Sequence, residues 1–270
     1  MTSIESRIAA ILDKKATATL RVQTLGAFQL WRDGIVVPQK EWGREVSLQL
    51  FQFLITNRHR HGLHKEQIID RIWDESDTKA GQQNFKVALH GINRVLEPMR
   101  QSRTDTKYII RQGLTYQLKL DELWLDVDAM DQFVAIGNQH IADHPKIAQK
   151  AYYEVVNLYE GTFLPNRLYE DWSAEERERI QLLTLNALIS LSELLVKENP
   201  IESIRLAQQI LQIDHVWEDA YRIQMEAYLE KGNRPMAIKT YQQCKKVLDE
   251  EFGISPLPET KRLFDQIKGL

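Results

Sequence analysis

Gln83, Val87, His90 and Arg94 recur at intervals of four, three and four residues, the spacing that puts side chains on one side of a helix. As a set they suit the reading of base edges. Glutamine pairs with adenine, arginine with guanine, and valine can contact a thymine methyl. Asn84 and Lys86 flank this row, and with Arg44, Arg58, His64, Lys65 and Arg111 they make up the candidate phosphate contacts. His59, His61 and His64 invite a metal reading, but no carboxylate or cysteine partner is evident near them, so no metal site is expected. Cys244 is the only cysteine, which excludes an internal disulfide and a Cys-based zinc site. Phosphate-binding, dinucleotide-binding, zinc-protease and nucleophile-elbow patterns are all missing, so neither catalysis nor a cofactor is expected.

Those residues need a scaffold. Leu20–Leu30 has strand composition, and Val36–Pro38 follows a turn signal at Asp33–Gly34. Val46, Leu50, Phe51 and Leu54 recur at helical spacing over 44–57, and a second helix over 64–73 carries Ile68, Ile69, Ile72 and Trp73. A third begins near Thr78, a good N-cap residue, and runs to about Leu96, ahead of Pro98. Its buried stripe is expected at Phe85, Leu89, Ile92 and Leu96, leaving Gln83, Val87, His90, Gly91 and Arg94 on the opposite face. Tyr108–Ile110 and Tyr116–Leu120 flank a turn and read as a hairpin. Strands, three helices, then a hairpin is the order of a winged helix-turn-helix. On an isolated helix the polar face would be plain solvated surface; inside a winged helix it is the side offered to the major groove.

Charge divides the chain unevenly. Residues 1–120 hold 19 Lys and Arg against 12 Asp and Glu, a net +7, while residues 121–270 hold 16 against 26, a net −10. A basic first half suits a polyanion, although drift alone can produce such an imbalance. Beyond Asp128 the sequence is helical, with candidates over 128–140, 145–159, 172–197, 201–213, 217–231 and 234–251. A shift of 34 residues superposes Ala187 on Tyr221, Leu194 on Tyr228, Ser203 on Ala237, Ala207 on Tyr241 and Ile210 on Cys244. Thirty-four is the tetratricopeptide period, and small or aromatic residues fall where paired helices must interlock. The aromatics of this half read as interhelix packing rather than a ligand cage. The expected fold is mainly α with a small β component. Residues 1–18 form an N-terminal amphipathic helix or extension, 19–121 the winged helix and 122–270 an all-α repeat domain. No apolar run reaches the roughly 20 residues of a membrane span, and the N-terminus lacks a signal-peptide pattern, so a cytoplasmic protein with no membrane partner is expected.

In this order the segments LRVQTLGAFQL, HKEQIIDRIW, NFKVALHGINRVLE, GTFLPNRLYEDWSAEERERIQLLTLNAL and KGNRPMAIKTYQQCKKVLDEEFGISPLPETKRLF resemble the Streptomyces antibiotic regulatory protein family. Its members join an OmpR/PhoB-type winged helix to a bacterial transcriptional activation domain. The resemblance implies an activator that binds promoter direct repeats in double-stranded DNA as a homodimer and contacts RNA polymerase. Three features depart from the family. Gly91 stands where an arginine is common late on the reading face, His64 replaces the usual Ser or Thr cap of the second helix, and Leu114–Thr115 replaces glycine in the wing. These departures leave open a second reading, a protein-interaction or small-ligand sensor module whose winged helix no longer reads DNA. With no further input domain evident, a small-molecule effector acting between the domains is one expected route of regulation.

Overall fold

The computed structural model describes residues 3–74, 77–101, 104 and 106–269. Residues 1 and 2 of the expected N-terminal extension lie outside them; residues 3–17 form helix α1 (Ser3–Thr17). The chain folds into two compact units. One takes Met1–Ala129 with Tyr159–Ile180, and the other Met130–Leu158 with Gln181–Leu270.

In the first unit, the run expected as one strand over 20–30 is two: β1 (Leu20–Gln23) and β2 (Gln29–Arg32), paired antiparallel. They are separated at Gly26, whose φ of 88° suits glycine and whose N–H donates to Thr162 O at 3.0 Å. The short strand β3 (Ile35–Val36) extends this sheet along β2. On the other side β7 (Leu123–Leu125) runs parallel to β1, which puts Leu20 beside Leu123 and Val22 beside Leu125. All four of those side chains are buried. The three helices follow as α2 (Glu45–Thr56), α3 (Lys65–Ile72) and α4 (Thr78–Leu96). A second sheet has the order β4–β6–β5, where β4 is Leu63–His64, β5 is Ile109–Gln112 and β6 is Thr115–Leu118. Gly113, at φ 62°, takes the first central position of the two-residue β5–β6 turn, where a II′ turn calls for glycine. This is the winged helix-turn-helix arrangement.

Asp126, the first residue of α5 (Asp126–His140), fixes β1 from inside. Its fully buried carboxylate accepts from Thr24 N (2.6 Å), Thr24 Oγ1 (2.7 Å), Leu25 N (2.8 Å) and Val127 N (2.9 Å). A buried carboxylate needs such donors, because burial without hydrogen bonds costs several kcal/mol.

The second unit is all helical, comprising the rest of α5, α6 (Pro145–Leu158), the part of α7 (Ala174–Leu195) after Ile180, α8 (Pro200–Ile213), α9 (Glu218–Glu230), α10 (Arg234–Phe252) and α11 (Pro258–Gly269). The 34-residue period reappears as two helix pairs, α7–α8 and α9–α10. Ala187, Ser203, Ala207 and Ile210 of the first pair are buried, as are Tyr221, Ala237 and Cys244 of the second. Ser203 shows why a small residue recurs: its hydroxyl reaches Ser192 O on the facing helix at 2.8 Å. Between α9 and α10, Gly232 (φ 68°) ends one helix and Asn233 Oδ1 caps the next at Met236 N. The final helix α11 was not among the sequence expectations. It is held by Phe264, which stacks on Tyr241 with ring centroids 3.9 Å apart. Among the described residues, no helix is long and apolar enough to cross a membrane.

Cys244 is fully buried, and burial pushes its thiol pKa up to about 12. Thiol reagents act on the thiolate, so native Cys244 should react about a thousandfold more slowly than in the unfolded chain near pH 8. Following maleimide labelling by mass with and without urea tests this, and equal rates in both would contradict it.

Candidate nucleic-acid interface

Helix α4 carries the candidate readers and contains no acidic residue between its N-cap Asp77 and its C-cap Glu97. Asp77, not Thr78, caps it, with Oδ1 accepting from Ala80 N at 2.7 Å. Gln83, His90 and Arg94 are exposed together with Lys79 and Lys86, and Val87 is half-buried at the edge of the row. At 100° per residue, Lys79, Gln83, Lys86, His90 and Arg94 lie within about 80° of arc. The spacing of Lys79 to Gln83 was the signal that could have added Lys79. Arg94 is not wholly loose: its Nη2 donates to Glu41 O at 3.2 Å.

The buried side differs from the expected stripe. Phe85, Ala88, Ile92, Val95 and Leu96 are buried, whereas Leu89 is only partly so. Gly91 is a correction, for it faces inward. A Cβ there would lie 2.8 Å from Ser47 Cβ and inside the radius of Ser47 Oγ on α2. The glycine lets α4 approach α2 closely, and an arginine at this position could not reach solvent without moving a helix.

Arg58 is the second correction. Its side chain is completely buried, with Nε donating to Asp128 Oδ1 at 2.5 Å and Nη1 to Glu176 Oε1 at 2.7 Å. It therefore cannot meet a phosphate. Burial opposes its charge, but the carboxylates of Asp128 and Glu176 outweigh it and raise the guanidinium pKa. Burial likewise pushes Glu176 up, yet hydrogen bonds from Arg179 and Arg58 and the charge on Arg58 hold it below the usual carboxylate range. The same fold brings Asp128 to 3.8 Å from His59 Nε2, a carboxylate that the sequence did not place near these histidines.

His64 corrects the expectation of a poor cap. Its Nδ1 accepts from Glu66 N at 3.3 Å, and its own N–H donates to Gln67 Oε1 at 3.3 Å, closing a capping box. Lys65 N donates to Leu114 O at 2.8 Å, which ties α3 to the wing and occupies an amide that an anion would use. The Lys65 ammonium lies 5.7 Å from the Phe85 ring centroid. Asn84 is half-buried beside the exposed row, and Arg44 is exposed at the start of α2. Arg111, on the wing, is exposed and braced by Gly113 O at 3.0 Å.

The bacterial transcriptional activator domain model matches residues 125–268, more than half of the chain. The chain belongs to the bacterial transcriptional activator domain family. Its fold is also that of a solved structure, Mycobacterium tuberculosis EmbR in complex with a low-affinity phosphopeptide. The match has a TM-score of 0.80 at 17% identity and covers 93% of this chain. The chain spans 65% of the length of EmbR. No curated protein matches it significantly in sequence. For this activator-domain chain the family is one of transcriptional regulators, and the fold pairs a winged-helix unit, which also takes Tyr159–Ile180, with a unit of helical repeats.

Proposed function

We propose that this protein is a sequence-specific, DNA-binding transcriptional activator of the cytoplasm. In this reading α4 enters the major groove of double-stranded DNA. Gln83, Val87, His90 and Arg94 face base edges, while Arg44, His64, Lys65, Asn84, Lys86 and Arg111 meet phosphates, joined by Lys79. Residues 19–121 serve as the DNA-binding domain and 122–270 as the activation domain that contacts RNA polymerase, with the protein acting as a homodimer on promoter direct repeats. The observation that carries this is the acid-free exposed row on α4, set in a winged helix.

Purified protein incubated with sheared genomic DNA should enrich short direct repeats upstream of genes; random recovery would favour an interaction module instead. On an enriched site, Arg94→Ala should cost about 1–3 kcal/mol and relax one base position, whereas Lys86→Ala should weaken all sequences alike and reduce the salt dependence. Equal loss on all sequences for Arg94→Ala would reassign Arg94 to the backbone.

A further inference from the structure

Residues of β2, β3, the Gln39–Trp42 turn and α2 line a cleft of about 500 Å³ in the first unit. All its lining residues belong to that unit. Its size falls in the range of small-ligand pockets, roughly 300–1,000 Å³. Leu30, Val37 and Leu48 give it a buried aliphatic lining. Phe28, half-buried, also lines it and is held edge-on by two rings, Trp42 at 6.2 Å and Phe51 at 6.4 Å between centroids. A ring fixed in this way loses little freedom when another aromatic ring packs on it.

The polar lining selects the occupant. It contains no charged side chain, so a phosphate, carboxylate or ammonium group would give up water without meeting a counter-charge. Around the cleft Arg32 pairs with Glu41 and Arg167 with Glu45, which leaves Lys40 and Arg44 against Asp33, too small a balance to select a charged ligand. Three carboxamides do line it, those of Gln29, Gln39 and Asn166. Asn166 is engaged, exchanging hydrogen bonds of 3.4 Å with Gln52. Among the described residues, the amides of Gln29, half-buried, and Gln39, exposed, have no hydrogen-bond partner. A free carboxamide both donates and accepts, which matches the N–H, ring-nitrogen and carbonyl edges of a heteroaromatic. A plain hydrocarbon lying over Gln29 would leave its amide unsatisfied, at about 1–3 kcal/mol.

We propose that this cleft binds an uncharged, flat heteroaromatic molecule of two or three fused rings, packed on Phe28 and edge-paired with Gln29 and Gln39. The site is contained in one unit, so it is distinct from an effector lodged between the domains. It requires no DNA and does not rest on the DNA-binding reading.

Lumichrome and adenine serve as probes, both uncharged near neutral pH and both with donor and acceptor edges. Titrating the full chain without DNA should quench lumichrome emission saturably or give a saturable calorimetric signal with adenine. Gln29→Leu and Gln39→Leu should each weaken that binding about threefold to tenfold, the loss of one hydrogen bond. Ala27→Trp, at an exposed lining position, takes up the space and should weaken it about tenfold or more with unchanged circular dichroism. No saturable binding of either probe would overturn the proposal. An affinity that Ala27→Trp leaves unchanged would place the probe elsewhere, and one that both glutamine changes leave unchanged would remove the edge-pairing; either result overturns it. Tighter binding of N-acetylphenylalaninamide than of both probes would overturn it in favour of a peptide site. Enrichment of DNA is measured separately, so either reading can fail alone.

Discussion

Replacing Arg58 with methionine is expected to destabilise the first unit by about 3–5 kcal/mol, the usual cost of removing one partner from a buried ion pair. The side chain has no exposure, and its loss takes from the largely buried Glu176 and from Asp128 the guanidinium they share, at 2.7 Å and 2.5 Å. Urea unfolding followed at the tryptophans would measure the loss. Removing the charge on both sides, as in Arg58→Met with Glu176→Leu, should recover part of it, because the remaining cost of an unpaired buried charge is then smaller. The pH dependence has a defined sign. The folded pKa of Glu176 is below its ordinary 4.5, so its stabilisation is present above that value and is lost as pH falls through the folded one. The gap between wild type and Arg58→Met should therefore narrow in acid. A loss below about 1 kcal/mol at neutral pH, the range of exposed pairs, would contradict this account.

The second large effect is expected at Gly91. Arginine here, which family resemblance would suggest as an improvement to the reading face, should instead destabilise by about 3 kcal/mol or more, at or beyond the top of the usual range for overpacking. Even Gly91→Ala brings two opposed terms. Alanine gains about 1 kcal/mol of helix propensity over glycine, but its Cβ must sit 2.8 Å from Ser47 Cβ. Overpacking of about 1–3 kcal/mol wins, so net destabilisation follows. A double-mutant cycle discriminates, because Ser47→Gly removes the two atoms that the new methyl would overlap and should restore most of the loss, whereas Ser47→Ala keeps the Cβ and should restore little. If Gly91→Arg were as stable as wild type and bound DNA more tightly, Gly91 would belong on the reading face after all.

Much of the architecture follows from local pattern. The helical periodicities of α2 to α4, the Gly113 turn and the 34-residue shift each depend on residues close in sequence, whose spacing directly sets which face is apolar. The polar row on α4 was legible for the same reason, since exposed positions on one helix are fixed by 100° steps. Lys79 extends the row by one turn at the same four-residue spacing.

What the sequence did not reveal are contacts made across long separations. β7 has three residues and no strand pattern of its own, and it exists because it pairs in parallel with β1, about a hundred residues earlier. The turn over 165–173 belongs with the winged helix rather than with the repeats around it in the chain, and only the packed structure assigns it there. Arg58 shows the same division most sharply. By sequence it is one basic residue among Arg60 and three histidines, equally fit for a phosphate. The two carboxylates that claim it lie 70 and 118 positions away, and its burial against them converts a surface charge into a structural pin. Residue type and spacing by themselves determined which faces of the helices are polar; tertiary packing decided which of those charges remain free to meet a partner, because burial and pairing depend on neighbours that the chain brings in from elsewhere.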